Sequence, residues 1–128
     1  MSEREIKFYK LLAKKYEIAE KFYDFREDLD ELEEKKASVQ KKQALNNKDK
    51  QEHLLKKAKF TQEDKEDKVL KQEKIIQEKE QDIVQNKKKI QEIKKKLEKK
   101  RLELEKLESE LKATDSKLQL DFPDKFQN

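Results

Sequence analysis

From Val69 onward an aliphatic residue stands at every seventh position: Val69, Ile76, Ile83, Ile90, Leu97, Leu104, Leu111 and Leu118. A period of seven held over that distance predicts a coiled-coil helix, spanning roughly 75 Å at about 1.5 Å per residue. The sites three residues after each member hold Gln72, Lys79, Asn86, Ile93, Lys100, Leu107 and Thr114. Only Ile93 and Leu107 are good seam residues. In a two-stranded homodimer the five polar residues would face their own kind, so the column is expected to lie along a more hydrophobic partner, in a hetero-oligomer.

The first third of the chain carries a different stripe. Phe8, Leu11, Ile18, Phe22, Phe25, Leu29, Leu32 and Val39 follow alternating spacings of three and four, with Lys15 and Lys36 at two intervening sites. Tyr9, Leu12, Tyr16, Ala19 and Tyr23 run beside it and widen the apolar face beyond a two-stranded seam. Ser2 and Glu5 fit the S-x-x-E capping box, so helix is predicted almost from the start. On this face Phe8, Leu11, Tyr16, Ile18, Phe22, Phe25, Leu29 and Leu32 are the expected partner-binding residues. Tyrosines at sevenfold spacing are read as packing groups whose hydroxyls stay at the rim, rather than as a cofactor site.

Between the stripes the register changes. Projected forward by sevens, the first passes through Lys50 and Lys57, whereas the second, projected backward, passes through Leu55. Asn46 and Asn47 are weak helix formers that tolerate left-handed backbone, which predicts a break near residues 46–50. Two outcomes follow: an unequal helical hairpin, or one long helix whose apolar face rotates by roughly 160°. Thr61 with Asp64 offers a second, weaker boundary. At the other end Pro123 stops the helix and biases Phe122 towards extended backbone. The alternation of Leu118, Leu120, Phe122 and Phe126 predicts an extended tail in which Leu120, Phe122 and Phe126 dock on a sheet edge or into pockets. A frayed terminus is the plainer alternative. Four segments result: an aromatic-rich helix (1–45), a hinge region (46–60), a long heptad helix (61–118) and the tail (119–128).

Composition narrows this further. Of 128 residues, half are charged and 32% hydrophobic, too little for a sizeable private core. There is no Gly, no Cys and one Pro, which removes the raw material of hairpin sheets, disulfides and thiolate metal sites. The expected fold class is therefore all-α, an elongated coiled-coil protein. Phosphate-cradling loops and calcium-binding EF-hand loops both require glycine, and a structural zinc site requires clustered Cys and His. His53, the one histidine, has no nucleophile context beside it and is read as solvent-facing. No catalytic, cofactor-binding or metal-ligating residue is expected, and the protein is read as a non-enzyme.

The net charge of +4 is small, but residues 87–101 stand out. Lys87, Lys88, Lys89, Lys94, Lys95, Lys96, Lys99, Lys100 and Arg101 face only Glu92 and Glu98, a local balance of +7. Such a girdle suits an acidic surface, whether tubulin tails, anionic lipid or nucleic acid, through attraction that salt weakens. No aromatic residue interleaves it to stack on bases, which argues against nucleic acid. A solvated lysine-rich helix face is the plainer alternative. No apolar run is long enough for a membrane span or a signal-peptide core. The expectation is a structural subunit binding partner proteins through its helices, cytoplasmic, in a cytoskeletal assembly of the microtubule, ciliary or centrosomal kind. The alternatives are a helical brace on a large organellar or membrane enzyme complex and a basic-helix nucleic-acid binder.

Overall fold

The computed structural model describes residues 2–126. It is all-helical: α1 covers Glu3–Gln62, α2 covers Glu66–Asp121, and a single 3-10 turn follows at Pro123–Lys125. No strand occurs among the described residues. The start of α1 is as expected, with the Ser2 hydroxyl accepting the Glu5 N–H at 3.2 Å.

The expected break at residues 46–50 is absent, because α1 runs through it without interruption. Asn46 is half-buried. Its neighbours along the helix, Gln43 and Asp49, both reach α2, at the Ile83 carbonyl (2.8 Å) and Lys79 (3.5 Å). Those contacts outweigh the poor helix propensity of asparagine, up to about 0.7 kcal/mol per residue. The chain turns instead at Glu63-Asp64-Lys65. Lys65 N–H donates to the Phe60 carbonyl (3.0 Å) and Asp64 N–H to the Thr61 carbonyl (3.3 Å), the bond pair of a Schellman motif. Asp64 takes φ 53°, the left-handed position that glycine usually fills. Thr61 does not cap the second helix; its hydroxyl donates back to the Lys57 carbonyl at 2.8 Å. The turn leaves nearly equal arms, of 60 and 56 residues.

The described chain forms two compact units, Met1–Glu31 with Leu97–Asn128, and Leu32–Lys96. In the first, α1 and α2 run antiparallel: Lys15 pairs with Asp115 at 2.7 Å and Asp28 with Lys100 at 3.6 Å. Its apolar centre is Phe8, Leu118 and Phe122, with Leu11 and Leu12 against them. The second unit contains the turn and is likewise antiparallel, set by Asp49–Lys79, Lys50–Glu80 (3.5 Å) and Lys57–Glu73 (3.3 Å).

Within both units the covered positions recur at three and four. In α2 they are the aliphatic column together with Gln72, Lys79, Asn86, Ile93, Lys100, Leu107 and Thr114, none of them exposed. In α1 the stripe from Phe8 to Val39 does not end where its aliphatic residues end. It continues through Gln43, Asn46, Lys50, His53, Lys57 and Phe60, all half-buried. The change of register read from the sequence is therefore the turn between two helices, each of which keeps one face throughout.

The extended tail is not observed over residues 119–126. Helix continues to Asp121, and Pro123, whose fixed φ suits a first helical position, opens the 3-10 turn. The remainder of the predicted tail, 127–128, lies outside the described residues.

Candidate protein-binding surface

The aliphatic column expected to meet a partner is turned into the contact between α1 and α2. Ile76, Leu97 and Leu118 are buried, and Val69, Ile83, Ile90, Leu104 and Leu111 are half-buried. Their polar companions find partners on α1 as well. Gln72 faces His53, whose Nδ1 lies 2.7 Å from the Gln72 Oε1. His53 is thus a half-buried seam residue and not solvent-facing. Lys79 reaches Asp49. Lys100 lies 4.3 Å from the centre of the Phe25 ring while its ammonium pairs with Asp28 and Glu103, so one cation is both stacked and ion-paired. Thr114 satisfies its buried hydroxyl on the Glu110 carbonyl at 2.8 Å. Gln43 donates to the Ile83 carbonyl, but its own Oε1 is buried with no hydrogen-bond partner.

Of the aromatic face, Phe8 and Ile18 are buried and Leu11, Phe22, Phe25, Leu29 and Leu32 half-buried in the same helix contact. Tyr16 is not with them. It stands 63% exposed, as does Tyr23, and Tyr9 is 50% exposed. The tail residues also divide. Phe122 is 6% exposed and meets the Phe8 ring edge-on at 5.3 Å, Phe126 packs on Phe8 at 6.4 Å, and Leu120 is exposed. Arg4 closes this end by donating from both terminal nitrogens to the Asp124 carboxylate while lying over the Phe122 ring. Those hydrogen bonds hold the Asp124 carboxyl below its ordinary range.

The basic girdle falls in both units. Lys99, Lys100 and Arg101 belong to the first, where Lys100 is used in the helix contact. Lys87, Lys88, Lys89, Lys94, Lys95 and Lys96 belong to the second, and all six are exposed. The antiparallel register sets residues 35–45 of α1 level with 83–93 of α2. This brings in residues that the linear reading missed. Over 35–48, α1 carries Lys35, Lys36, Lys41, Lys42 and Lys48 and no acid. The band is therefore built by both helices. The available signal was the acid-free run itself, which acquires meaning only once its neighbour is known.

Among the described residues, no helix is long and apolar enough to cross a membrane, and no group of three or more His, Cys, Asp or Glu is placed to hold a metal ion. No family model matches this chain, and no curated protein or solved structure does either.

Proposed function

We propose that this chain is a non-enzymatic structural subunit, an antiparallel coiled-coil hairpin that binds a different protein through its surface charge, with an acidic cytoskeletal filament such as tubulin as the partner. The observation that carries this reading is the two-helix lysine band. Residues 35–48 and 83–96 together hold eleven lysines against Glu92 alone. Lysine presents a mobile, strongly hydrated point charge suited to disordered acidic tails, and the absence of aromatic residues from both stretches disfavours stacking on bases. Because the aliphatic column is spent inside the chain, partner binding falls to exposed groups. Binding of this kind has a strong electrostatic component and weakens as salt screens it, with a Debye length of about 8 Å at physiological ionic strength. The subunit would act in the cytoplasm, at the filament surface.

Cosedimentation with microtubules at low and high salt tests this. The wild-type chain pellets at low salt and is released at high salt, and Lys41→Glu/Lys42→Glu on α1 weakens pelleting as much as Lys94→Glu/Lys95→Glu on α2. Pelleting that ignores the α1 pair, or no pelleting at low salt, contradicts the proposal. Retention on DNA that matches retention on microtubules would move the protein to the nucleic-acid class.

A further inference from the structure

Within the first unit, α1 and α2 leave a groove of about 510 Å³ between them, and its rim is cationic. Lys7, Lys10 and Lys14 border it from α1 and Lys117 from α2, all four exposed. Beneath them lie Leu11, half-buried against the Phe8 cluster, and Phe122. Asp121 is the single acid of the lining, so four ammonium groups meet one carboxylate, a balance of +3. The fold makes no use of these cations. The ion pairs that join the helices in this unit are Lys15–Asp115 and Lys100–Asp28, and none of the four lysines ion-pairs with another described residue. Lys112 and Lys21, by contrast, are paired along their own helices with Glu108 and Glu17.

We infer that this groove binds an acidic peptide segment of a partner protein, in extended conformation, with one apolar side chain between two carboxylates. The sign of the occupant follows from the rim, since the cations line the groove itself and have no partner within the chain. Its length follows from their spacing. Lys7 and Lys14 stand roughly 10 Å apart along α1, more than a single phosphate can bridge. An extended segment with acid, apolar and acid on alternate residues turns all three side chains to one side and spans roughly 13 Å, within reach of flexible lysines at both ends. The apolar side chain then rests on Leu11 beside Phe122, while the carboxylates meet the rim. Other anionic partners fit less well. Phe122 is 6% exposed and capped by Arg4, so the groove offers no ring to stack on a base and no side chain to insert among acyl chains. The groove shares no lysine with the band at 35–48 and 83–96, so peptide binding here and filament binding there can fail separately.

Fluorescence polarisation with the full chain at low salt tests this, using a labelled peptide of sequence Ser-Glu-Gln-Leu-Gln-Glu-Ser. The peptide binds and is released by salt. Lys10→Glu/Lys14→Glu weakens binding about fivefold or more, and Lys10→Gln/Lys14→Gln, which adds no new charge, about two- to threefold. Helicity by circular dichroism stays unchanged in both, because the two positions are exposed. Replacing the peptide's leucine by serine costs a further several-fold. Lys94→Glu/Lys95→Glu, in the other unit, leaves peptide affinity within about twofold of wild type. Absence of binding, indifference to the leucine, or equal loss from the Lys94 and Lys95 reversal overturns the inference. So does a Lys10- and Lys14-dependent affinity for anionic vesicles or single-stranded DNA that exceeds that for the peptide, or concentration-dependent self-association abolished by Lys10→Glu/Lys14→Glu, which would give the groove to a second copy.

Discussion

Asp64 carries the turn alone, since the chain contains no glycine. A non-glycine residue held at φ 53° gives up roughly 1–2 kcal/mol in left-handed backbone, a cost that aspartate softens by local hydrogen bonding. Asp64→Gly should therefore raise stability by about 0.5–1 kcal/mol, after allowing for the greater freedom of glycine in the unfolded chain. A urea melt checks it, and a loss of stability would mean that the Asp64 side chain supports the turn in a way its backbone angle does not show. His53 shows how a lone polar residue misleads. On a linear chain it has no neighbour to engage, whereas in the fold Gln72, nineteen positions away, meets it in the seam. Nothing local distinguishes that histidine from one in solvent.

For the helices, the legible part was the part written in aliphatic residues. The column from Val69 to Leu118 sits at covered positions throughout, as its period required. The α1 register beyond Val39 was illegible because its seam is filled by polar residues, Asn46 among them, and the groups that pair with Gln43, Lys50, His53 and Lys57 lie on the other helix. One signal was present: three heptads after Val39 stands Phe60, on register and half-buried. The tail was misread for a related reason. Alternation of Leu118, Leu120, Phe122 and Phe126 resembles a strand, but Leu118 and Phe122 are one helical turn apart and both meet Phe8. Proline substitution separates the two accounts of α1. Asn47→Pro, inside a continuous helix, should cost about 3 kcal/mol or more, where a hinge at 46–50 would absorb it at little cost. Equal thermal stability of Asn47→Pro and wild type would restore the hinge.

At the level of the whole molecule, a chain that is half charged still folds because the apolar residues at its three-and-four positions are spent on contact between its own two helices within each unit, although Leu45, Leu55, Leu70, Val84 and Leu102 stay exposed. The all-helical class followed from the missing glycine and the sevenfold column, and the basic girdle was visible along α2. Its extension onto α1, and the exposure of Tyr9, Tyr16 and Tyr23, were not, because each depends on which face of α1 meets α2 within its own unit. That self-covering is the central claim, and spin labels at Gln51→Cys and Gln77→Cys test it most directly in a chain with no cysteine of its own. Both sites are exposed and lie level on antiparallel helices within the unit that holds the turn. Double electron–electron resonance should give one short distance, set by helix axes about 8–10 Å apart, unchanged when excess unlabelled chain is added. A separation of roughly 39 Å, the spacing of these residues along one uninterrupted helix, or a short distance that disappears on dilution with unlabelled chain, would contradict it.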